Sequence, residues 1–362
     1  MNLKFVAAWY NKDKNLSWSG TTYALLKELQ KHFNVELLNV RLYKVVNILR
    51  KLNMLSNDFD ISVIKNERQR LNRKVKSEIV FQFAEHIEKP GLKTFIYQDL
   101  SVSYLLYMYL TNKHELKYSG FGGYDIKYVK QRAILQNHYY ETCSGIFTMG
   151  RWLSNFLINE CGLPKDKVHH VGGGYNINLD KKEEKRESRR ILFVGRDFIR
   201  KGGVCVVEAF KILHSKKVNT ELYIAGPKEN PLEENIEGIV FLGDLPHDKL
   251  DYYFSLCDIF CLPSYFEAYG LVFIEALCAG MPCIGRRAYE MQYFIEENET
   301  GYLIDNDNSE FLAGKMEDLL QNERIKKNVK EKREYYKREY SWETVGKRIR
   351  NVIENSIKSE TY

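Results

Sequence analysis

Residues 180–190 read DKKEEKRESRR, a run in which no side chain can enter a hydrophobic core. A 362-residue chain is too long for one typical domain. A break of this kind near its middle therefore divides it. The same rhythm of apolar strand, turn and amphipathic helix runs on both sides of the break, and that order builds parallel α/β sheets. The expected fold class is α/β, with two Rossmann-like domains. The expected boundaries are 1–178 for the first domain, 179–190 for the linker, 191–340 for the second domain and 341–362 for a terminal helix.

In the first half, strands are expected at 5–9, 35–40, 79–83, 94–97 and 145–149, with helices at 21–33, 125–142 and 152–161. In the second half, strands are expected at 191–194, 221–225, 239–242, 259–262 and 282–284. Helices are expected there at 204–214, 247–255, 271–279 and 310–322, with the last at 342–357. Open parallel sheets take ligands at the carboxyl ends of their strands, so two such sheets imply a site in a cleft between them.

Composition narrows the partners. A net charge of +6 is too small to argue for nucleic acid. The seven cysteines form no Cys-x-x-Cys pair and sit mostly in apolar runs, as buried thiols in a reducing cytosol would. The first residues enter directly into an apolar run of strand length, with no longer leader core, and no apolar stretch reaches the ~20 residues that cross a bilayer. The expected location is cytoplasmic, or peripheral at the cytoplasmic face of the membrane. Residues 41–76 hold ten Lys/Arg against three acids, with Leu, Val and Ile between them. They read either as a solvated helical insertion or as a surface that settles on anionic lipid.

Two segments carry chemistry. In the first, an apolar strand ends at Gly195-Arg196 and is followed by Arg200-Lys201-Gly202-Gly203 at the start of a helix. Glycines admit a ligand close to the backbone, and two cations beside a helix N-terminus suit a diphosphate. A solvated basic turn reads equally well from these residues alone. In the second, the strand DIFCLPS leads through Tyr265-Phe266-Glu267-Ala268-Tyr269-Gly270 into the helix LVFIEALCAG. Glu275 stands in an apolar stretch and must have donors to accept from. Sugar or ribose hydroxyls would serve, and so would a Lys or Arg partner.

The Glu267-x7-Glu275 spacing, the Pro263-Ser264 before it, the Ala-Gly-Met-Pro after it and the Arg196/Lys201 turn upstream resemble the retaining glycosyltransferases of family 4, which have the GT-B fold. The resemblance is strongest over residues 190–305. It implies transfer of a sugar from a nucleoside-diphosphate sugar to a glycan, lipid-linked or protein acceptor, with no metal and no cofactor. By that resemblance Arg196 and Lys201 hold the diphosphate, and Glu267 faces the donor sugar together with the backbone of Ala268, Tyr269 and Gly270. Leu271 and Val272 offer amides to the phosphates, Glu275 takes the ribose, and the base lies near Leu242-Gly243-Asp244-Leu245. The loop at Gly20 comes close to the donor, and the helix after Trp342 returns to the first domain.

The pattern also departs from the family. Gln98 stands where relatives often carry a histidine, which leaves Asp99, or His86 after the preceding strand, to orient an acceptor hydroxyl. Tyr289-Glu290-Met291-Gln292-Tyr293 replaces a Gly-Gly-x-Pro-Glu loop. Asp305-Asn306-Asp307 reads as a turn rather than a metal motif. A phosphorylase would need a pyridoxal-phosphate lysine site, and a dinucleotide oxidoreductase would need a Gly-x-Gly-x-x-Gly run that residues 9–20 lack. A nucleotide-sugar epimerase of the same architecture and a non-catalytic nucleotide-sugar-binding subunit both stay open.

Overall fold

The short apolar runs become the buried strands of two parallel sheets. The computed structural model describes residues 1–9, 14, 17–40, 57–76, 79–178, 189–216 and 218–358. Within them the first sheet comprises β1 (Asn2–Ala7), β2 (Asn34–Asn39), β3 (Ile79–Gln82), β4 (Lys93–Gln98), β5 (Gly145–Thr148) and β6 (Val168–His170), in the order β2-β1-β3-β4-β5-β6. The second comprises β7 (Arg189–Val194), β8 (Thr220–Ala225), β9 (Ile239–Gly243), β10 (Ile259–Leu262), β11 (Cys283–Arg286) and β12 (Gly301–Ile304), in the order β12-β11-β10-β7-β8-β9. Every strand pair is parallel. The chain divides into two units, Met1–Gly173 with Trp342–Tyr362, and Gly174–Ser341.

The helices of the first unit are α1 (Thr21–Gln30), α2 (Asn57–Asn72), α3 (Val102–Thr111), α4 (Lys113–Ser119), α5 (Ile126–Thr142) and α6 (Arg151–Asn159). Those of the second are α7 (Gly203–Ser215), α8 (His247–Leu256), α9 (Leu271–Ala279), α10 (Met291–Phe294), α11 (Ser309–Gln321) and α12 (Glu323–Glu339). The last helix, α13 (Trp342–Lys358), packs with α1 in the first unit. Gly346 makes that contact close: a Cβ there would lie 2.3 Å from Cγ of Glu28, which is itself buried. Gly346→Ala should therefore destabilise the first unit by roughly 1–3 kcal/mol, despite alanine's better helix propensity. Faster amide exchange across residues 343–358 would register it.

Two expectations are corrected. The first strand spans Asn2–Ala7 rather than 5–9, in register with Asn34–Asn39. Arg189 and Arg190 belong to β7, pairing with Thr220 and Glu221, although their charge placed them in the linker; residues 179–188 lie outside the described residues. Elements unread in the sequence include α3, whose VSYLLYMYLT is apolar on every face, and α12, where Ile325, Val329 and Tyr336 are the buried anchors of an otherwise charged helix. The first pattern shows no 3.6-residue period; in the second, Ile325, Val329 and Tyr336 have helical spacing but are only three apolar positions among many charges.

The β3–β4 crossover has no helix, so its backbone must find partners elsewhere. The buried Gln82 side chain bonds both N–H and C=O of Ile87, and Asn72 does the same for Glu88. Arg68 donates to the Glu85 carbonyl and pairs with Glu88, while Arg132 pairs with Glu85. Of the basic stretch, residues 41–56 lie outside the described residues. In its remainder Ile61, Leu71 and Val75 are buried, and Arg68 serves this crossover rather than a solvated face.

Candidate functional site

Renumbered from β7, the second sheet runs in the order 3-2-1-4-5-6, the doubly wound order whose ligand crevice opens between the first and fourth strands. Here those strands are β7 and β10, which pair directly. The turns leaving them carry Gly195–Gly203 and Pro263–Gly270, so topology alone brings the two motif segments together.

Hydrogen bonds lock the turns to one another. Tyr265 N–H donates to the Arg200 carbonyl at 2.9 Å, and Arg200 Nη1 donates to the Phe266 carbonyl at 2.7 Å. The buried Ser264 hydroxyl lies within reach of the Arg200 and Phe266 carbonyls. Gly202, with φ 78°, lies so close that a Cβ would sit 2.6 Å from the Pro263 carbonyl oxygen. It caps α7, and Gly270, with φ 95°, caps α9; neither helix has a side-chain cap at its N-terminus. Two helix N-termini with partial positive charge thus open at the switch point. The amides of Leu271 and Val272 belong to the first turn of α9.

Lys201 and Glu267 form an ion pair between the turns, each side chain only 12% exposed. The Lys201 stem crosses Gly195, where a Cβ would meet its Cγ at 2.7 Å. Burial pushes the Lys201 amine below the ordinary lysine range, against the pull of Glu267. Glu267 lies beside Gly270, the two 3.1 Å apart from Glu267 Cγ to an added Cβ. Arg196 is 77% exposed and reaches Asp244 at 3.2 Å, just past β9, the strand that holds Leu242. Gly195, Gly226 and Gly243 continue the strand ends through the bonds Gly195 N to Ala225 O and Gly226 N to Gly243 O, both 2.8 Å. Tyr269 is buried against Phe294, and Ala268 is half-buried in the same turn.

Glu275 is 1% exposed and accepts from the Asn176 backbone N–H at 3.3 Å. Asp251 of α8 accepts from Asn178 N–H at 3.0 Å in the same segment. The sequence offered hydroxyls or a Lys/Arg as donors to Glu275; the donor found is a backbone amide 99 residues away, which no local pattern could reveal. Burial pushes the Glu275 carboxyl up to about 8, with Asp251 adding to the shift and the Asn176 bond opposing it. Above pH ~4.5 the unfolded chain has released this proton while the folded chain still holds it. Stability should therefore fall as pH rises from about 5 to 8 and level off beyond, by up to about 4 kcal/mol. Urea titrations of Glu275→Gln, which keeps the acceptor oxygen, should lose that limb.

Asp305 and Asp307 pair with Arg287 and Arg286, and Arg286 also lies over the Tyr265 ring at 4.6 Å. The loop at Tyr289–Tyr293 packs on the motif turn through Tyr289 and Phe266, 5.2 Å apart. Asp251 and Asn176 are the neighbours the sequence reading missed, whereas Asp244 lies in the segment expected to flank the base.

In the first unit the remaining candidates stand at carboxyl strand ends. Gly20 caps α1 with φ 86°, after Trp18 and Ser19, also left-handed. Asp99 follows β4 directly. Gln98 turns inward to the Tyr140 hydroxyl at 2.6 Å, so it does not stand in for the family's histidine. Glu85 is held by Arg132, and burial lowers the neighbouring His86 to about 4, with the Glu85 charge opposing it. His86 lies on the crossover that Gln82 supports.

Fold and site together define an α/β protein whose second sheet brings a largely buried Lys201–Glu267 ion pair and two glycine-capped helix N-termini to its switch point. Residues 176–342 match the family model described as "Glycosyl transferases group 1", a match that spans nearly all of the second unit. An uncharacterized glycosyltransferase of Methanocaldococcus jannaschii is 27% identical over 248 residues, covering 60% of this chain and 62% of the relative. A D-inositol 3-phosphate glycosyltransferase of Corynebacterium glutamicum is 26% identical over 231 residues, covering 56% of this chain and 55% of the relative. The chain thus matches little more than half the length of these curated relatives. The structure of a sucrose-phosphate synthase from Thermosynechococcus elongatus superposes with a TM-score of 0.68 at 14% identity, covering 99% of both chains. The architecture is GT-B, two Rossmann-like units each built on a parallel sheet. Among the described residues no helix is long and apolar enough to cross a membrane.

Proposed function

We propose that the chain is a glycosyltransferase that moves a sugar from a nucleoside-diphosphate sugar to a hydroxyl acceptor on a glycan or lipid-linked glycan, retaining the anomeric configuration and using no metal. The observation that carries the reading is the meeting of Lys201 and Glu267 between two glycine-capped helices at the β7/β10 switch point.

Breaking the bond from the anomeric carbon to the diphosphate leaves negative charge on phosphate oxygen. Lys201, Arg196 and the first-turn amides of α9 would stabilise that charge more in the transition state than in the bound donor. Glu267 would then exchange its lysine partner for hydroxyls of the donor sugar. Glu275 would take the ribose hydroxyls, and Leu242 would flank the base. Gly20 would approach the donor from the first unit, and Asp99 would orient the acceptor hydroxyl. A peripheral contact with anionic membrane through residues 41–76 is part of the same proposal.

A panel of UDP-, GDP- and ADP-sugars tests the reading. At least one should raise the melting temperature at saturation, by mass action on the folded state, and should be hydrolysed slowly without acceptor. A panel that neither stabilises the chain nor is consumed refutes the assignment.

A further inference from the structure

The turn leaving β11 holds a residue in a backbone conformation that its side chain disfavours. Tyr289 has φ 51°, in the left-handed region, where a bulky residue is an outlier. Its side chain is buried, and its carbonyl accepts from the Gln292 amide at 3.1 Å. A glycine would take this φ freely, so the tyrosine persists against strain because its surroundings hold it.

Those surroundings are the motif turn. Strand β11 lies beside β10, with Gly285 opposite Leu262, so the turns leaving the two strands are neighbours. Three contacts from residues 286–294 grip the motif turn. The Arg286 guanidinium lies over the Tyr265 ring at 4.6 Å and donates to the Pro263 carbonyl at 3.3 Å. The Tyr289 ring meets the buried Phe266 ring edge-on, with centroids 5.2 Å apart and planes at 76°. Phe294 of α10 meets Tyr269 in the same way, at 5.2 Å and 80°. Glu267 stands in the chain between Phe266 and Tyr269, on a backbone secured before and after it.

We infer that Tyr289 is a positioning residue for Glu267, and that through it the chain selects the hydroxyl configuration of its donor sugar. The inference rests on the transferase reading, in which Glu267 accepts from hydroxyls of that sugar. A carboxylate placed to accept from one hydroxyl rejects the epimer that points the hydroxyl elsewhere, and it does so only while it is held in place. Before the donor arrives, Lys201 fixes the Glu267 side chain from the β7 turn. Once that partner is exchanged for hydroxyls, the backbone under Glu267 keeps its direction. Arg200 holds that backbone at the Phe266 carbonyl, at 2.7 Å, and Tyr289 holds it at the Phe266 ring.

The full chain is assayed with donors that differ at one hydroxyl: UDP-glucose with UDP-galactose, their N-acetylhexosamine counterparts, GDP-glucose with GDP-mannose, and ADP-glucose with ADP-mannose. The ratio of kcat/KM within the pair that wild type consumes measures discrimination. Tyr289→Gly should narrow that ratio by about fivefold or more, and Tyr289→Phe, which keeps the ring, should preserve it. Phe266→Leu removes the other ring of the contact and should narrow the ratio likewise; it decides the matter if Tyr289→Gly does not fold. A merely structural loss lowers activity toward both epimers equally and leaves the ratio unmoved. In a Glu267→Gln background, Tyr289→Gly should change the ratio no further, because the two act as one unit. Wild type that does not discriminate, an unchanged ratio in the folded variants, or further narrowing in the Glu267→Gln background each overturns the inference, while wild-type turnover upholds the transferase reading. Wild type that consumes none of these donors fails that reading, and the inference with it.

Discussion

Lys201→Ala is expected to lower sugar transfer at least tenfold, and by about a hundredfold if the amine acts mainly in the transition state. The amine is the buried cation of the site, whereas Arg196 is 77% exposed and screened by solvent. Truncation also strands Glu267, whose side chain is 12% exposed, without its ion-pair partner. Leaving one charge of a buried pair is destabilising in itself, so loss of activity must be separated from loss of fold. The double variant Lys201→Ala/Glu267→Gln removes the orphaned charge. Its denaturation midpoint should recover while transfer stays low. Steady-state kinetics should show the loss in kcat more than in donor KM. Recovery of transfer in the double variant would mean that Lys201 only balances Glu267.

Gly202→Ala is expected to destabilise the second unit by roughly 2–5 kcal/mol and to abolish donor binding. Two costs combine. A left-handed φ of 78° strains any residue with a Cβ, and the methyl would lie 2.6 Å from the Pro263 carbonyl oxygen and 2.9 Å from the Pro263 ring. Relief requires the β7 and β10 turns to separate, and with them Lys201 and Glu267. Gly91 provides the control: its φ is 79°, yet an added Cβ meets nothing within 4 Å. Gly91→Ala should cost only the backbone part, about 1–2 kcal/mol. Urea denaturation of the two variants isolates the contact. Equal losses would show that the close approach at Gly202 contributes nothing.

Much of the fold was legible because apolar runs and turn residues recur at strand and helix spacing. Helix α9 was read over its full length, since Gly270 and Gly280 punctuate LVFIEALCA at both ends, each left-handed in the structure. Helix α12 was not, because a three-residue anchor in a charged helix looks like solvent-exposed sequence until a neighbour covers it. Arg189 and Arg190 looked like linker for a related reason: a strand start can carry charge on exposed or half-exposed positions while its later residues are buried.

In the site the two motif segments were visible one at a time, as glycines and charges bracketing strand ends. The family resemblance put both on one donor but did not predict their direct ion pair, and Asn176 as the donor to Glu275 was invisible, because a backbone amide has no sequence signature. Gln98, read in the sequence as a departure from the family's histidine, has its side chain turned into the core on Tyr140.

By itself the sequence determined that this chain folds as two parallel α/β units, and which turns carry cations, carboxylates and glycine caps, because hydrophobic periodicity and φ preferences act within a few residues of each other. Only the tertiary structure decided that β7 lies beside β10, that Lys201 faces Glu267 and that Glu275 is sealed from water. Strand order and burial follow from packing distant segments into one core, and that free energy belongs to no single stretch of chain.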